Sequence, residues 1–486
     1  MSEPLLIEQS KKGRKAYCFP PLDLPRGFHQ ALPSLPEELR REDPAYLPEV
    51  SELDVVRHFT KLSSMVHGVD SGMYPLGSCT MKYNPKLSEH IARMEAFTRI
   101  HPLQDVSTVQ GCLSIMFNLL EDLSSITGMQ WGSLQPCAGA HGEYTGLKMI
   151  KAYFEKRGEM KRTKILIPSS AHGTNPASAM VNGFDVLTIG SNAQGRVDMA
   201  DLETKLDDSV AALMLTNPNT LGIFEQDILA ISNMVHGKGA LMYYDGANMN
   251  AILGMATPGE MGFDVVHLNL HKTFSTPHGG GGPGSGPVMV NDTLRPFLPK
   301  PDIQLTDSGY VLAWDREDSI GKVSMFWGNF LVLLKAYVYI LRMGSEGLRS
   351  ASAHAVLNAN YVAKKLSDVC EIPYGKQCMH EFVISLADLA QTHGVRAQDV
   401  AKALIDKGYH PPTMYFPSLV SEALMIEPTE SESVETLDAF IEAFRSILEE
   451  AKQHPEHVKG APYSTPVGRL DEVKAIKEPN LRYVRG

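Results

Sequence analysis

Between residues 112 and 270, short β-rich runs alternate with helical stretches, and no other feature constrains the fold as strongly. The β-rich runs are Lys164–Pro168, Asp185–Ile189, Val210–Thr216, Ala240–Tyr244 and Asp264–Leu270. Cys112–Thr127 has helical spacing, with Leu113, Met116, Phe117, Leu120 and Leu123 recurring on one face. Gly142–Arg157 reads as a second helix, stopped by Gly158, and Met199–Leu206 and Asp227–His236 lie between strands. Strands alternating with helices predict an α/β fold with a mostly parallel sheet covered on both faces.

An apolar helix is expected over Met325–Arg342, and beyond it the pattern changes. A strand at Glu381–Leu386 and helices over 395–407 and 436–453 predict a smaller C-terminal α/β domain. The expected division is an extended arm over 1–60, a large domain over 61–344 and a small domain over 345–486. Pro20, Pro21, Pro25, Pro33, Pro36, Pro44 and Pro48 punctuate the arm. A length of 486 residues suits two to four domains. The net charge of −11 argues against a nucleic-acid partner. The cluster Lys11-Lys12-Gly13-Arg14-Lys15 is short enough to be a solvated tail.

No run suits a membrane. The apolar stretch Phe330–Met343 is interrupted by Lys335 and Arg342, and the first residues lack a signal-peptide core. Cys18, Cys79, Cys112, Cys137, Cys370 and Cys378 are scattered without a C-x-x-C pair. That spacing predicts reduced thiols in a cytoplasmic protein, with neither a disulfide framework nor a metal site.

The chemistry concentrates in Asp264–Gly286, where a strand runs into His271-Lys272 and then a loop with four consecutive glycines, Gly279–Gly282. A P-loop places its lysine after the glycines, the reverse of the order here. His267 and His271 have zinc spacing only on a helix, and the glutamate of H-E-x-x-H is missing. A third reading is a strand-end lysine that forms a Schiff base with a cofactor aldehyde. Upstream, Ala240–Tyr244 ends at Asp245, at the carboxyl edge where α/β sheets bind ligands. A carboxylate there suits a cofactor ring nitrogen, although Asp-Gly alone is more often a turn. Gln135–Gly146 opens a helix with small residues, which exposes backbone N–H groups to an anion. His172 follows the strand Lys164–Pro168 and is either a stacking group or a structural loop histidine.

This order of phosphate turn, histidine, strand-end aspartate and lysine resembles the aspartate-aminotransferase-like enzymes, fold type I of the pyridoxal-phosphate enzymes. Further segments are similar to the P-protein of the glycine cleavage system: Tyr74–Asn84, with its Leu-Gly-Ser-Cys-Thr-Met-Lys run, Ala171–Ser178, Gly408–Pro417 and Glu427–Glu430. The length matches the lysine-bearing subunit of the two-subunit form. The resemblance implies pyridoxal 5'-phosphate held as a Schiff base on Lys272, with Asp245 on the ring nitrogen and His172 stacked on the ring. It also implies phosphate contacts from Gly139, Ala140 and His141, and an ordering role for His271. Motif position puts Thr216 and Asn248 near the cofactor, and Ser78, Cys79, Thr80 and Lys82 near the substrate. The implied activity is decarboxylation of glycine with transfer of the aminomethyl group to the lipoyl arm of the H-protein. The implied partners are that carrier and a first subunit, two copies of each subunit assembling together. The alternatives are another fold type I lyase or decarboxylase, or a desulfurase using Cys79. A noncatalytic scaffold subunit is a further alternative, one that should lack the lysine.

Overall fold

The runs with no charged residue form the middle of a sheet, because both of their faces must be covered. The computed structural model describes residues 3–18, 20, 23, 36–39, 41, 43, 45–278, 284–374 and 377–481. Seven strands make the main sheet: β1 (Trp131–Ser133), β2 (Lys164–Pro168), β3 (Asp185–Ile189), β4 (Val210–Thr216), β5 (Leu241–Gly246), β6 (Val265–Leu268) and β7 (Val288–Val290). Their spatial order is β1-β7-β6-β5-β4-β2-β3. The pairs β2/β3, β2/β4, β4/β5 and β5/β6 are parallel, while β7 runs antiparallel to β6 and β1. Every residue of β4 and β5 is buried, whereas β3, at the edge, keeps Asp185 and Thr188 exposed.

Alternation along these strands feeds two cores. Ala212, Met214, Tyr243 and Val265 pack with Leu147, Ile150 and Phe154 of the helix Gly139–Lys156. Leu213, Leu215, Met242, Tyr244 and Val266 pack on the other face with Leu119 and Leu123 of the helix Gln110–Thr127. Period-two alternation between two apolar layers is what a doubly covered sheet requires.

Two corrections concern element bounds, one of a helix and one of a strand. The helix expected from Met325 starts at Phe330 and runs to Leu366. Gly328 has φ +99°, outside helical geometry, so the chain turns before it. Gly344, with φ +61° and ψ −178°, breaks the helical geometry midway. The strand expected over Asp264–Leu270 ends at Leu268, and Leu270–Thr273 forms a single helical turn.

After the hairpin β8 (Asp302–Thr306) and β9 (Gly309–Ala313), a three-stranded antiparallel sheet comprises β10 (Phe382–Ser385), β11 (Thr413–Met414) and β12 (Ala423–Ile426), in the order β10-β12-β11. Its own core joins Phe382, Ile384, Leu424 and Ile426 to Phe440 and Phe444 of the helix Val434–Gln453.

Contacts divide the chain into residues 69–463 and a second unit of residues 1–68 with 464–486. The boundary expected at 345 falls beside the helix break at Gly344. In the second unit, the end of the expected arm is helical. Ser51 caps the helix Glu52–Ser64, its side chain accepting from the Asp54 N–H while the Asp54 carboxylate accepts from the Ser51 N–H. This reciprocal capping box supplies the start signal that the proline-rich composition obscures. Pro21, Pro25, Pro33 and Pro44 of the arm lie outside the described residues, as does Gly279–Gly282. Among the described residues, no helix is long and apolar enough to cross a membrane.

Gly286, entering β7, has no room for a side chain, because a Cβ would fall on the carbonyl oxygen of Ala138. Gly286→Ala is expected to lower the unfolding free energy by about 1–3 kcal/mol, the usual scale of overpacking. Urea titration followed by circular dichroism measures it, and an unchanged midpoint would remove this contact from the account.

Candidate active site

Strand register builds the site. Thr216 of β4 pairs with Asp245 of β5, and Asp245 pairs with His267 of β6. Partners in register project to the same face, so three polar side chains line up near the carboxyl ends of three parallel strands. The turn Leu270–Thr273 then carries Lys272 to the same edge, and the helix beginning at Gly139 approaches from the opposite side. A cavity of about 150 Å³ lies between them, lined by Ser78, Gly139, Ala140, Glu143, His172, Thr216, Asp245, Asn248, His271 and Lys272, among others.

Asp245 is 2% exposed and firmly held. Its Oδ2 accepts from Asn175 Nδ2 at 2.8 Å, and its Oδ1 accepts from the Ala247 N–H at 2.9 Å and lies 3.3 Å from His267 Nε2. Burial by itself would raise its pKa. The charge of His267, these hydrogen bonds and the charge of Lys272 outweigh that effect and lower it. The far nitrogen of His267 lies 3.0 Å from the Tyr243 hydroxyl, which donates to the Gly142 carbonyl oxygen. The carboxylate is thus tied through two buried side chains to the helix that begins at Gly139.

Lys272 Nζ donates to the Ser78 carbonyl oxygen at 2.8 Å. Ser78 has φ +62°, an unfavourable conformation for a residue with a Cβ. A buried carboxylate offsets this, since the Ser78 N–H donates to Glu381 Oε2 at 2.6 Å. Asn248 Nδ2 donates to Glu381 Oε1 and to the Pro218 carbonyl oxygen. The pairing of Phe382 with Ile426 brings the flanking Glu381 and Glu427 opposite each other, and Thr80 Oγ1 donates to Glu427 at 2.5 Å. Burial raises both pKa values, that of Glu381 to about 7 and that of Glu427 well above the carboxylate range. Two carboxylates this close cannot both be ionised cheaply, so the pair retains a proton.

His172 is exposed beside the cavity. Its Nδ1 accepts from the Thr174 N–H, and the Thr174 hydroxyl donates to Glu143. Partial burial, then the charge of Lys272, lowers its pKa, which leaves a neutral ring at pH 7. His271 falls to about 3 by burial, then by the charges of His278 and Lys272. Glu143, Asp245 and His267 come within 4.8 Å of one another, as do His380, Glu381 and Glu427, but hydrogen bonds and ion pairs already engage the first set.

Of the residues expected from sequence, Lys272, Asp245, His172, Gly139, Ala140, Thr216, Asn248, His271 and Ser78 meet at this cavity. His141 does not line it, and its Nδ1 accepts from the Cys137 N–H. Thr80 is turned to Glu427. Lys82, 4% exposed, is engaged by Glu430 at 2.6 Å, Asn250 at 2.7 Å and Tyr339. Cys79 faces His278, as described below. Glu143, Asn175, Glu381 and Glu427 were not among the expected site residues, and His267 was weighed only as a zinc ligand. Asn175 stands three residues after His172, a spacing that places it on the first turn of the helix Thr174–Val181. Glu381 and Glu427 have no local signal, because strand pairing alone unites them. A larger groove of about 760 Å³ near Trp131 and Arg316 is lined by no lysine, cysteine, serine, threonine or histidine.

A lysine and a buried aspartate at the carboxyl edge of this sheet define the class: the chain has fold type I of the pyridoxal-phosphate enzymes. Residues 145–298 match the class-V aminotransferase family, and residues 351–462 match the glycine dehydrogenase C-terminal domain. Two relatives carry the name "Probable glycine dehydrogenase (decarboxylating) subunit 2". One, from Caldanaerobacter subterraneus subsp. tengcongensis, is 58% identical over 99% of both chains. The other, from Oceanobacillus iheyensis, is 56% identical over 99% of this chain and 98% of its own. A crystal structure of glycine decarboxylase (P-protein) of the glycine cleavage system, in inhibitor-bound form, superposes with TM-score 0.72 at 22% identity. The match covers 85% of this chain and 93% of that one. The chain belongs to the family of glycine dehydrogenase (decarboxylating) subunit 2.

Retention of a proton by the glutamate pair has a thermodynamic consequence. Between pH 4.5 and about 7 the native state binds more protons at Glu381 than the unfolded chain, so stability falls as pH rises through that window. Glu381→Gln is expected to flatten this slope, as measured by urea unfolding at half-unit pH steps. An unchanged slope would mean that Glu381 is ionised throughout.

Proposed function

We propose that this chain binds pyridoxal 5'-phosphate in the cavity and decarboxylates glycine, passing the aminomethyl group to the lipoyl arm of a carrier protein. The observation that carries this reading is one amine and one hydrogen-bonded carboxylate, Lys272 and Asp245, lining the same small cavity. The polar lining fits such a group. Thr216 Oγ1, Asn269 Oδ1 and His271 Nδ1 are buried there without partners, a costly state that a polar ligand would relieve. The helix starting at Gly139 has no side-chain cap, which leaves N–H donors and the positive end of its dipole for a phosphate.

In this reading Lys272 would hold the cofactor covalently, with Asp245 available to its ring nitrogen, His172 to its ring and the N–H groups of Gly139 and Ala140 to its phosphate. The bound group supplies an electron sink for bond cleavage at the glycine α-carbon. Asp245, kept ionised by His267, Asn175 and the Ala247 N–H, would stabilise positive charge at an atom it faces. The Ser78 carbonyl orients the Lys272 amine while it is free. Glu381 and Glu427 retain a proton beside that amine without adding a second full negative charge.

The relatives' designation as subunit 2 supports a partner, and we take it to be a first subunit, with two copies of each assembling. The family's P-protein resemblance supports a lipoyl H-protein as acceptor. The six free cysteines support a reducing, cytoplasmic setting.

The purified protein is expected to absorb near the visible edge, and borohydride is expected to fix the cofactor on Lys272. A reduced adduct mapped to Lys238 or Lys322 would overturn the assignment. Exchange of labelled bicarbonate with the carboxyl carbon of glycine is expected to be weak for the isolated chain and restored by the first subunit. Full exchange by the chain alone would replace the two-subunit reading with a self-sufficient enzyme.

A further inference from the structure

Cys79 and His278 form a pair that the reading above leaves unused. The Cys79 Sγ lies 3.2 Å from His278 Nε2, joining the 77–80 segment to the residues that follow Lys272. Both residues are half-buried, so part of each is open to solvent. The pair sits close to the lysine. Cys79 adjoins Ser78, whose carbonyl accepts from Lys272, and the ring of His278 lies 5.2 Å from that of His271, which lines the cavity.

The charged groups around the pair fix its protonation. Lys272, Glu427 and Glu381 act on Cys79, and Tyr74 is close enough to feel it. Burial raises the thiol, and the two glutamates oppose the lowering by Lys272. Burial and then Lys272 push His278 down to about 4. Near pH 7 the pair is therefore a neutral thiol beside a neutral imidazole, unlike the thiolate and imidazolium of a cysteine nucleophile. A protonated thiol next to the reacting amine is suited to donate a proton, and the same fact weighs against a desulfurase, whose cysteine must attack.

We propose that Cys79, backed by His278, is the proton donor to the sulfur that leaves when the carrier's disulfide is opened. This rests on the lipoyl acceptor of the preceding section. The glycine-derived carbon, holding the electron pair left by carbon dioxide, bonds to one lipoyl sulfur. The S–S bond breaks, and its electron pair goes to the other sulfur. That sulfur takes the proton of the Cys79 thiol, and the resulting Cys79 thiolate regains a proton from water by way of His278. Transfer between two thiols of comparable acidity needs little driving force.

The experiment uses the chain with its partner subunit, glycine and the lipoylated carrier. Cys79→Ser and His278→Gln are compared with the unmodified protein by the appearance of carrier thiol. In parallel, bicarbonate exchange is measured with carrier lacking its lipoyl group. Carrier thiol formation is expected to fall about 100-fold in Cys79→Ser, the usual scale of a lost general acid, while exchange stays within about twofold. Iodoacetamide alkylation of Cys79 in the unmodified protein, followed by peptide mapping, is expected to be slow at pH 7 and to accelerate only in more alkaline solution. Undiminished carrier thiol in both variants overturns this role alone. Parallel loss of both activities reduces the pair to a structural contact, and fast alkylation at pH 7 makes Cys79 a nucleophile instead. If the unmodified complex exchanges label but never opens the carrier disulfide, the acceptor of the preceding section fails, and this proposal fails with it.

Discussion

The site depends on a single buried charge, that of Asp245. Removing a carboxylate from water costs several kcal/mol unless partners replace the lost hydration. Each partner comes from a different element: Asn175 from the helix after β2, the Ala247 N–H from the turn after β5, and His267 from β6. His267 is in turn tied through Tyr243 to the Gly142 carbonyl on the helix beginning at Gly139. Holding one charge therefore ties together the register of β5 with β6, the turn after β5 and the start of that helix. Were β6 to slip by one residue, His267 would leave the face shared with Asp245.

Glu381 and Glu427 are as deeply buried as Asp245, and their environments drive them the other way. Asp245 has several donors and no carboxylate opposite it across the strands, so it stays ionised. Glu381 and Glu427 face each other across an antiparallel pair, so burial and mutual repulsion dominate. Separating the pKa values of neighbouring acids in this way is how a site keeps one group as a fixed charge and another as a proton store. Both sets bear on Lys272, Asp245 by its charge and Glu381 through the backbone of Ser78.

Much of this was legible before the structure, for physical reasons that can be named. β4 and the Leu241–Tyr244 part of β5 are uncharged runs leading to Thr216 and Asp245, so their burial and the sheet edge at their ends are written locally. Lys272 and Asp245 were found because a strand followed by a reactive side chain is a short-range pattern. Glu381 and Glu427 escaped because only the pairing of β10 with β12 brings together residues that are far apart in the chain. The helix expected from Met325 starts at Phe330, after the positive φ of Gly328, and the end of the expected arm is helical from Glu52, where the capping box of Ser51 overrides the proline-rich composition. Lys82 illustrates the limit of reading by motif. It lies in the Leu-Gly-Ser-Cys-Thr-Met-Lys run that carries part of the family resemblance, yet its amine is engaged by Glu430, Asn250 and Tyr339 rather than by the cavity.

The histidines complete the charge balance. His172, His271, His278 and His380 all have lowered pKa values, with burial the first cause and the Lys272 charge contributing in each case. Protonating the buried His380, or the half-buried His271 or His278, would add positive charge near that of Lys272. Kept neutral, they offer ring faces, acceptors and N–H donors without altering the field. The cavity is then lined by the Lys272 amine, the Asp245 carboxylate and the uncapped start of the helix at Gly139. Asp245 and Lys272 are each held by hydrogen bonds of the fold itself, the kind of preorganisation by which a site stabilises charge.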